Sequence, residues 1–323
     1  MKTGFLVCFV ALFACAGVVS EVWAECKNES GVVDCRASID NGKNAQNEYI
    51  CGTGCTFTIE GETIKIKANS ANARIDEGIF APNYYQDGKF KTSDGQEVSF
   101  NKIELDGDFA YIGGYAFYNS GATITTTSGV LNIKDAGGKI ARGNTTIEAD
   151  IYISSDEACN RLTFQSANIK GDLVFADGVT NVASWFMGRA TIDGNVVIPS
   201  SLSYIMEDNY ITLLDTLDKG NKVYCGANNC YQLFYDACYR DTRANVLSEC
   251  LDKLNDLVEG KKLFAYPDGC TELGLGLRCS KCKNGNFRLN DGECDRLRYT
   301  PAEAAKVLKD TDNELIMTFK VNR

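Results

Sequence analysis

Between about residues 57 and 205 the chain is a string of short β-branched runs cut by turn residues. Thr63-Ile-Lys-Ile-Lys, Lys102-Ile-Glu-Leu, Thr123-Ile-Thr-Thr-Thr, Val130-Leu-Asn-Ile, Thr146-Ile-Glu-Ala-Asp-Ile-Tyr-Ile, Arg161-Leu-Thr-Phe, Asp172-Leu-Val-Phe and Asn195-Val-Val-Ile are the clearest. Apolar residues in most of them fall two apart, the period of a half-buried strand. A strand this short buries too little surface to stand alone, so such strands must pair and stack. Helical spacing is nearly absent from this stretch. The chain there is predicted to be a sandwich, a barrel or a solenoid.

Internal spacing selects among these. Ile112-Gly-Gly-Tyr-Ala-Phe117 places an aliphatic residue five before an aromatic, and the spacing returns in Ile75…Phe80, Val182…Met187 and Ile205…Tyr210. The interval from Ile112 to Val182 is close to three times that from Val182 to Ile205. The first interval, Ile75 to Ile112, is too long for one such step and too short for two. A unit of this size cannot bury its apolar face alone, so copies must stack. A mainly β protein follows, with a β-solenoid over residues 57–215.

Asp108-Phe-Ala-Tyr-Ile-Gly-Gly-Tyr-Ala-Phe-Tyr-Asn119 resembles the leucine-rich repeats of the BspA type, whose units carry isoleucine-glycine, then alanine-phenylalanine, then a strand ending in Ile-Pro. Asn195-Val-Val-Ile-Pro-Ser-Ser-Leu-Ser-Tyr-Ile205 is similar to that strand and the start of the next unit. The resemblance covers about residues 105–120 and 172–210. It implies a leucine-rich-repeat solenoid in a bacterial surface or secreted binding protein. The Gly-, Thr- and Ile-rich text from Gly129 to Ile153 departs from the pattern and suits a parallel β-helix equally well.

Fifteen cysteines set the second constraint. Cys8 and Cys15 lie in an apolar run from Gly4 to Val19 that follows Met1-Lys2 and precedes Val22-Trp-Ala24. This reads as a signal peptide over residues 1–24, too short for a spanning helix, with a lipoprotein-like alternative at Cys15. The expected location is therefore secreted or cell-surface, with no transmembrane segment in the mature chain. Cys26, Cys35, Cys51 and Cys55 form a cysteine-rich N-terminal cap over residues 25–56. Cys225, Cys230, Cys238, Cys250, Cys270, Cys279, Cys282 and Cys294 crowd the C-terminal third. Even counts let each cluster close on itself as disulfides, leaving Cys159 as a buried thiol. Zinc is the rival for Cys279-Ser-Lys-Cys282, but a ribbon needs a second CxxC pair.

Residues 216–298 read as a small disulfide-rich α+β region. One helix is predicted over 241–258, and Cys282 to Cys294 resembles the hairpin of small cysteine-rich modules, with Asn290-Asp-Gly292 as its turn. Residues 299–323 read as a helix-strand tail opened by the capping box Thr300-Pro-Ala-Glu303.

Chemistry is bounded by what is missing. Histidine is absent, which removes His-dependent nucleophile pairs, metal sites and acid–base work. A net charge of −10 with no basic run disfavours nucleic acid. Asp106-Gly-Asp108 and Asp291-Gly-Glu293 are too sparse for a calcium loop. Glu104, Asp106 and Asp108 share one strand-turn, so a carboxylate-dependent polysaccharide enzyme on the solenoid is an alternative, as is a passive envelope component. No cofactor or metal is expected. Asn28-Glu-Ser30 and Asn144-Thr-Thr146 are sequons. The reading is a non-catalytic binder of an extracellular protein or glycan, with Tyr111, Tyr115 and Tyr118 as candidate contacts.

Overall fold

The structure is a computed structural model. It describes residues 42–81, 90–159, 163–183, 186–205 and 221–226, with shorter stretches at 209, 212–213, 233–236, 238, 250–252, 254–255, 263–266, 270–282, 286–288 and 294–296. The predicted signal peptide, Cys26, Cys35, the Asn290–Gly292 turn and the 299–323 tail lie outside these residues.

The protein is a mainly β solenoid organised by one 12-stranded sheet. The sheet opens with three antiparallel strands, Tyr49–Gly52, Cys55–Glu60 and Thr63–Ala68, in which Phe57 faces both Tyr49 and Ile66. From there every pairing along the sheet is parallel. Thr63–Ala68 pairs with Lys102–Asp106, which pairs with Thr123–Ile133 and then Thr146–Ile153. Leu173–Phe175, Val196–Ile198, Val223–Cys225 and Leu263–Ala265 continue the stack. Lys102, Thr123, Thr146, Asn168 and Thr191 are successive partners in one register, and the chain advances by nearly the same length from each to the next. One coil of chain thus lays down one strand per turn.

The period-two pattern explains which face is buried. In Thr146–Ile153 the residues Ile147, Ala149, Ile151 and Ile153 point inward. Ile64, Ile103, Ile124, Ile147, Ile169 and Ile192 occupy one register column and are wholly buried. Burying such a side chain contributes roughly 1.5–3 kcal/mol before the entropy of ordering is subtracted. A β-branched residue suits each site because its stiff χ1 fits the pleat and costs little rotamer freedom.

A second ladder runs along the flank and carries the repeat unit. Ile75 pairs with Ile112, Ile112 with Ala136, and Val182 with Ile205. Between them, the Cys159 carbonyl accepts a 3.1 Å hydrogen bond from the Ala183 amide. The column is therefore Ile75, Ile112, Ala136, Cys159, Val182, Ile205. Its companions five residues on, Phe80, Phe117, Ala141, Phe164 and Met187, are also buried. Two of these units, Ala136…Ala141 and Cys159…Phe164, fill the interval between Ile112 and Val182 in which the sequence shows no aliphatic–aromatic pair. The long first step, Ile75 to Ile112, includes the small antiparallel pair Phe90–Lys91 and Glu97–Val98.

Several expectations change. The 56/57 boundary falls inside the strand Cys55–Glu60, because Cys55, Thr56 and Phe57 are all buried in one register. The sheet does not stop at residue 215, since Val223 and Cys225 are buried against Val196 and Ile198. Thr123–Thr127 and Val130–Ile133 are one continuous strand with a register shift opposite Glu148 and Asp150. Thr163 to Ser166 form a turn rather than a strand. Helical residues occur at 233–236 and 238 as well as at 250–252 and 254–255, so helix is not confined to 241–258.

Disulfides join Cys51 to Cys55, Cys238 to Cys250 and Cys270 to Cys279; Cys225 and Cys282 are also disulfide-bonded. Cys159 is free and buried. Burial pushes its thiol up to about 12, with Asp156 and Glu157 adding to the shift.

The Cys270–Leu273 and Cys279–Cys282 strands form an antiparallel hairpin. It packs on the outward face of the main sheet, where Val174 and Val197 meet Cys270, Leu273 and Cys279 in a second core. Tyr152, Tyr224 and Tyr266 close its margins, and the Tyr266 hydroxyl donates to the Ile198 carbonyl at 2.9 Å. Leu173–Phe175 and Val196–Ile198 are thus covered on both faces, which is why they read as unbroken apolar runs. Asn286–Arg288 and Cys294–Arg296 pair antiparallel beyond it.

Candidate functional site

The flank ladder places all three predicted tyrosines on one turn. Tyr111 precedes Ile112, and Tyr115 and Tyr118 follow it in the Gly-Gly-Tyr-Ala-Phe-Tyr stretch. All three are half-buried rather than exposed. Tyr115 and Tyr118 meet edge-on, with ring centroids 5.5 Å apart. Each ring also carries a cation from a neighbouring turn. The Arg74 guanidinium lies 4.3 Å from the Tyr111 centroid, the Lys139 ammonium 4.6 Å from Tyr115 and the Arg142 guanidinium 5.6 Å from Tyr118. Lys139 Nζ also donates to the Tyr115 hydroxyl. Such contacts are worth about 0.5–1 kcal/mol at partly exposed sites.

The partners follow from the repeat. One turn of chain carries Tyr115 to Lys139, and the same step carries Tyr118 to Arg142, so equivalent positions on successive turns lie side by side. The Tyr115 amide bonds the Gly138 carbonyl at 3.2 Å, that of Phe117 the Ile140 carbonyl at 2.7 Å and that of Asn119 the Arg142 carbonyl at 2.9 Å. Sequence reading missed Arg74, Lys139 and Arg142. The signal was there, at one repeat step from each tyrosine: Arg74 precedes Ile75 as Tyr111 precedes Ile112, whereas Lys139 and Arg142 needed the Ala136 unit to be recognised first.

Backbone geometry marks the same corner. One column holds Gly78, Tyr115 and Lys139 with φ of 66°, 59° and 65°. Another holds Asn119, Gly143, Ser166 and Arg189 with φ of 47°, 91°, 59° and 60°. Left-handed backbone costs a residue with a Cβ roughly 1–2 kcal/mol. Glycine is the natural occupant, so Tyr115, Lys139 and Arg189 are placed against local preference.

The two ends of the strip differ in charge. Near Arg74 stands Asp76, whose carboxyl is raised by burial against the pull of Arg74. At the other end, residues 115–120, 139–145, 163–167 and 186–190 contain Lys139, Arg142 and Arg189 and no Asp or Glu. Beside Arg142, the buried Gln165 Oε1 accepts no hydrogen bond among the described residues.

A concavity of about 270 Å³ opens on the outward sheet face between Thr56, Thr58, Lys65, Lys67, Glu104 and Asp106. Three of its charged groups, Lys65, Glu104 and Asp106, are matched locally. Lys65 pairs with Glu60 at 2.6 Å, Lys102 with Glu104 at 3.6 Å, and Thr127 donates to Asp106 at 2.9 Å. Asp108 pairs with Lys134 at 3.9 Å, so Glu104, Asp106 and Asp108 do not converge. Among the described residues no three His, Cys, Asp or Glu side chains are placed to hold a metal ion, and no helix is long and apolar enough to cross a membrane. Asp291 and Glu293 lie outside those residues.

Fold and site together define a disulfide-bearing β-solenoid with a tyrosine–cation strip on its flank. No known family model, curated protein or solved structure matches the chain.

Proposed function

We propose that the protein is a secreted or cell-surface binding protein that uses the solenoid flank to contact an extracellular protein or glycan, without catalysis. The observation that carries this is the tyrosine–cation strip. Three half-buried tyrosines each meet a cation from an adjacent turn, and tyrosine and arginine are among the residues that most often anchor interfaces. Export is supported by the apolar N-terminal run and by the disulfides, which persist in oxidising compartments. We also read the solenoid as leucine-rich-repeat in type, similar to the BspA group. The Ile-Gly-x-x-Ala-Phe unit on the flank supports that reading over a parallel β-helix.

The test is a glycan and extracellular-protein array probed with the mature chain. Binding that is lost on Tyr115→Ala and Tyr118→Ala, with the β-sheet circular dichroism retained, supports the reading. Turnover of a polysaccharide by the purified protein would replace it with the enzyme.

A further inference from the structure

We propose that the concavity on the outward sheet face, across the strands Cys55–Glu60, Thr63–Ala68, Lys102–Asp106 and Thr123–Ile133, binds a small neutral saccharide. This site is separate from the tyrosine–cation flank and stands without it.

Strand register builds the site. Thr56, Lys67 and Asp106 are successive cross-strand partners, and Thr127 ends the row by donating to Asp106 Oδ1 at 2.9 Å. Two residues along the strands, Thr58, Lys65, Glu104 and Thr125 are successive partners in the same order. They alternate with Phe57, Ile66, Ile103 and Leu105, whose side chains fill the core, so the polar rows face outward. Each row therefore reads hydroxyl, ammonium, carboxylate, hydroxyl. Neighbouring strands lie roughly 4.8 Å apart and the two rows about 6.6 Å apart.

The facing charges do not close on one another. Opposite charges directly across two strands normally stabilise the pairing. Here Lys65 turns to Glu60 at 2.6 Å, Glu104 to Lys102 at 3.6 Å, and Asp106 accepts from Thr127. Among the described residues no ion pair joins Lys65 to Glu104 or Lys67 to Asp106, and Lys67 has no hydrogen-bonding or ionic partner. The concavity of about 270 Å³ is lined by both ammonium-bearing and both carboxylate-bearing residues of these rows.

Two walls bound it. In Thr123–Ile133 the register passes from Thr125 opposite Glu148 to Val130 opposite Asp150, so residues 126–129 make an excursion from the strand. Ser128 Oγ fixes that excursion by donating to the Val130 carbonyl at 3.0 Å and accepting from the Val130 amide at 3.2 Å, and Thr127 lines the concavity. On the opposite side Glu48 lines it, held by the Asn44 side-chain amide at 2.8 Å. The next strand, Thr146–Ile153, alternates buried and outward residues without such an excursion, so the stack itself does not demand one.

Alternating donors and acceptors select the ligand. A simple anion meets the carboxylates of Glu48, Glu104 and Asp106, and a simple cation meets Lys65 and Lys67. A sugar hydroxyl both accepts and donates, so adjacent hydroxyls accept from the Lys67 ammonium and donate to the Asp106 carboxylate. The capacity is there. Lys67 has its donors open, Asp106 Oδ2 accepts no hydrogen bond among the described residues, and Thr56, which accepts from Asn69 at 2.8 Å, keeps its own hydroxyl proton to donate. Ligand sites usually measure about 300–1,000 Å³, so this volume suits a mono- or disaccharide rather than a long polymer. A peptide finds no edge to extend, because each of the four strands is paired on both sides.

Saturation-transfer NMR and calorimetry on the purified mature chain test this with cellobiose, maltose, mannobiose, lactose and chitobiose at millimolar concentration. Diglycine, citrate and spermidine serve as the zwitterion, the anion and the cation. The expected result is binding of at least one disaccharide, with an affinity that stays the same from low to high salt. Lys67→Met and Asp106→Ala should each weaken it roughly tenfold, because each removes a charge-assisted hydrogen bond. Lys170→Gln, farther along the stack and paired with Asp193 at 2.7 Å, should change nothing. Lys67 and Asp106 are exposed, and an unchanged circular dichroism spectrum confirms that the variants fold. Binding of diglycine, citrate or spermidine without any disaccharide overturns the proposal, as does the absence of all binding. Disaccharide binding that Lys67→Met and Asp106→Ala leave intact, or that Lys170→Gln weakens equally, overturns it too. Each of these results leaves the flank reading standing, because its tyrosines lie outside the concavity.

Discussion

Gly137→Ala isolates how closely the solenoid turns approach each other. Gly137 does not have a left-handed backbone, so an alanine there meets no φ penalty. Its Cβ would instead lie 2.1 Å from the Gly114 nitrogen and 2.5 Å from its Cα. Ordinary contact begins at 3.4 Å, so the turns must part by more than an ångström at this corner. The hydrogen bonds that hold them are Gly137 N to Ile112 O at 2.8 Å, Ile112 N to Asp135 O at 3.1 Å and Tyr115 N to Gly138 O at 3.2 Å. Lengthened by that amount, all three leave hydrogen-bond range. At about 0.5–1.5 kcal/mol each, the loss of all three is roughly 1.5–4.5 kcal/mol. Gly121→Ala is the matched control, because its φ is +66° and nothing lies within 4 Å of the added Cβ. It should cost only the left-handed backbone penalty, about 1 kcal/mol. Urea titration followed by circular dichroism reads both as shifts in midpoint at constant slope. If Gly137→Ala costs no more than Gly121→Ala, the close-approach argument is wrong.

Three further outcomes follow from groups described above. Cys159, with its thiol pushed up to about 12, should resist alkylation in the native protein and react after denaturation; because its folded value lies above the unfolded one, stability is full below about pH 8.5 and falls as pH rises toward 12, a limb that Cys159→Val should flatten in alkaline melts. Asp94 is held down to about 2 by hydrogen bonds from Thr92 first and then Lys43 and Tyr49, so its contribution is present above about pH 4 and lost as pH falls through 2, and Asp94→Asn should remove that acid dependence from the unfolding midpoint. Val197→Ala strips two methyl-sized groups from the second core, so the hairpin should loosen by about 1.5 kcal/mol and limited proteolysis near residues 270–282 should accelerate, whereas cleavage unchanged from wild type would refute the packing.

Strand identity was legible because the period-two pattern is imposed by one buried face. Thr146–Ile153 shows it over its whole length. The repeat was legible only where large residues fill its two key positions. Ala136 with Ala141, and Cys159 ahead of Phe164, carry no aliphatic–aromatic contrast, so those units emerge only from the register of the stack. The tyrosines could be named from sequence, but their cations Lys139 and Arg142 could not. Lys139 and Tyr115 are far apart along the chain, and only the length of one turn says that the two are neighbours. The hairpin's docking site was hidden for a different reason. Leu173-Val-Phe and Val196-Val-Ile look like ordinary core strands, and their outward Val174 and Val197 gave the one hint that something covers them.

That covering has a mechanical consequence. In a plain stack each coil touches only the coils beside it, and the end coil can peel away without disturbing the rest. Here the hairpin at residues 270–282 reaches back past Val223–Cys225 to grip Tyr152, Val174 and Val197. A pull on the C-terminal end must therefore first tear a disulfide-closed clasp from the middle of the stack, so rupture should come as one large event followed by coil-by-coil unwinding.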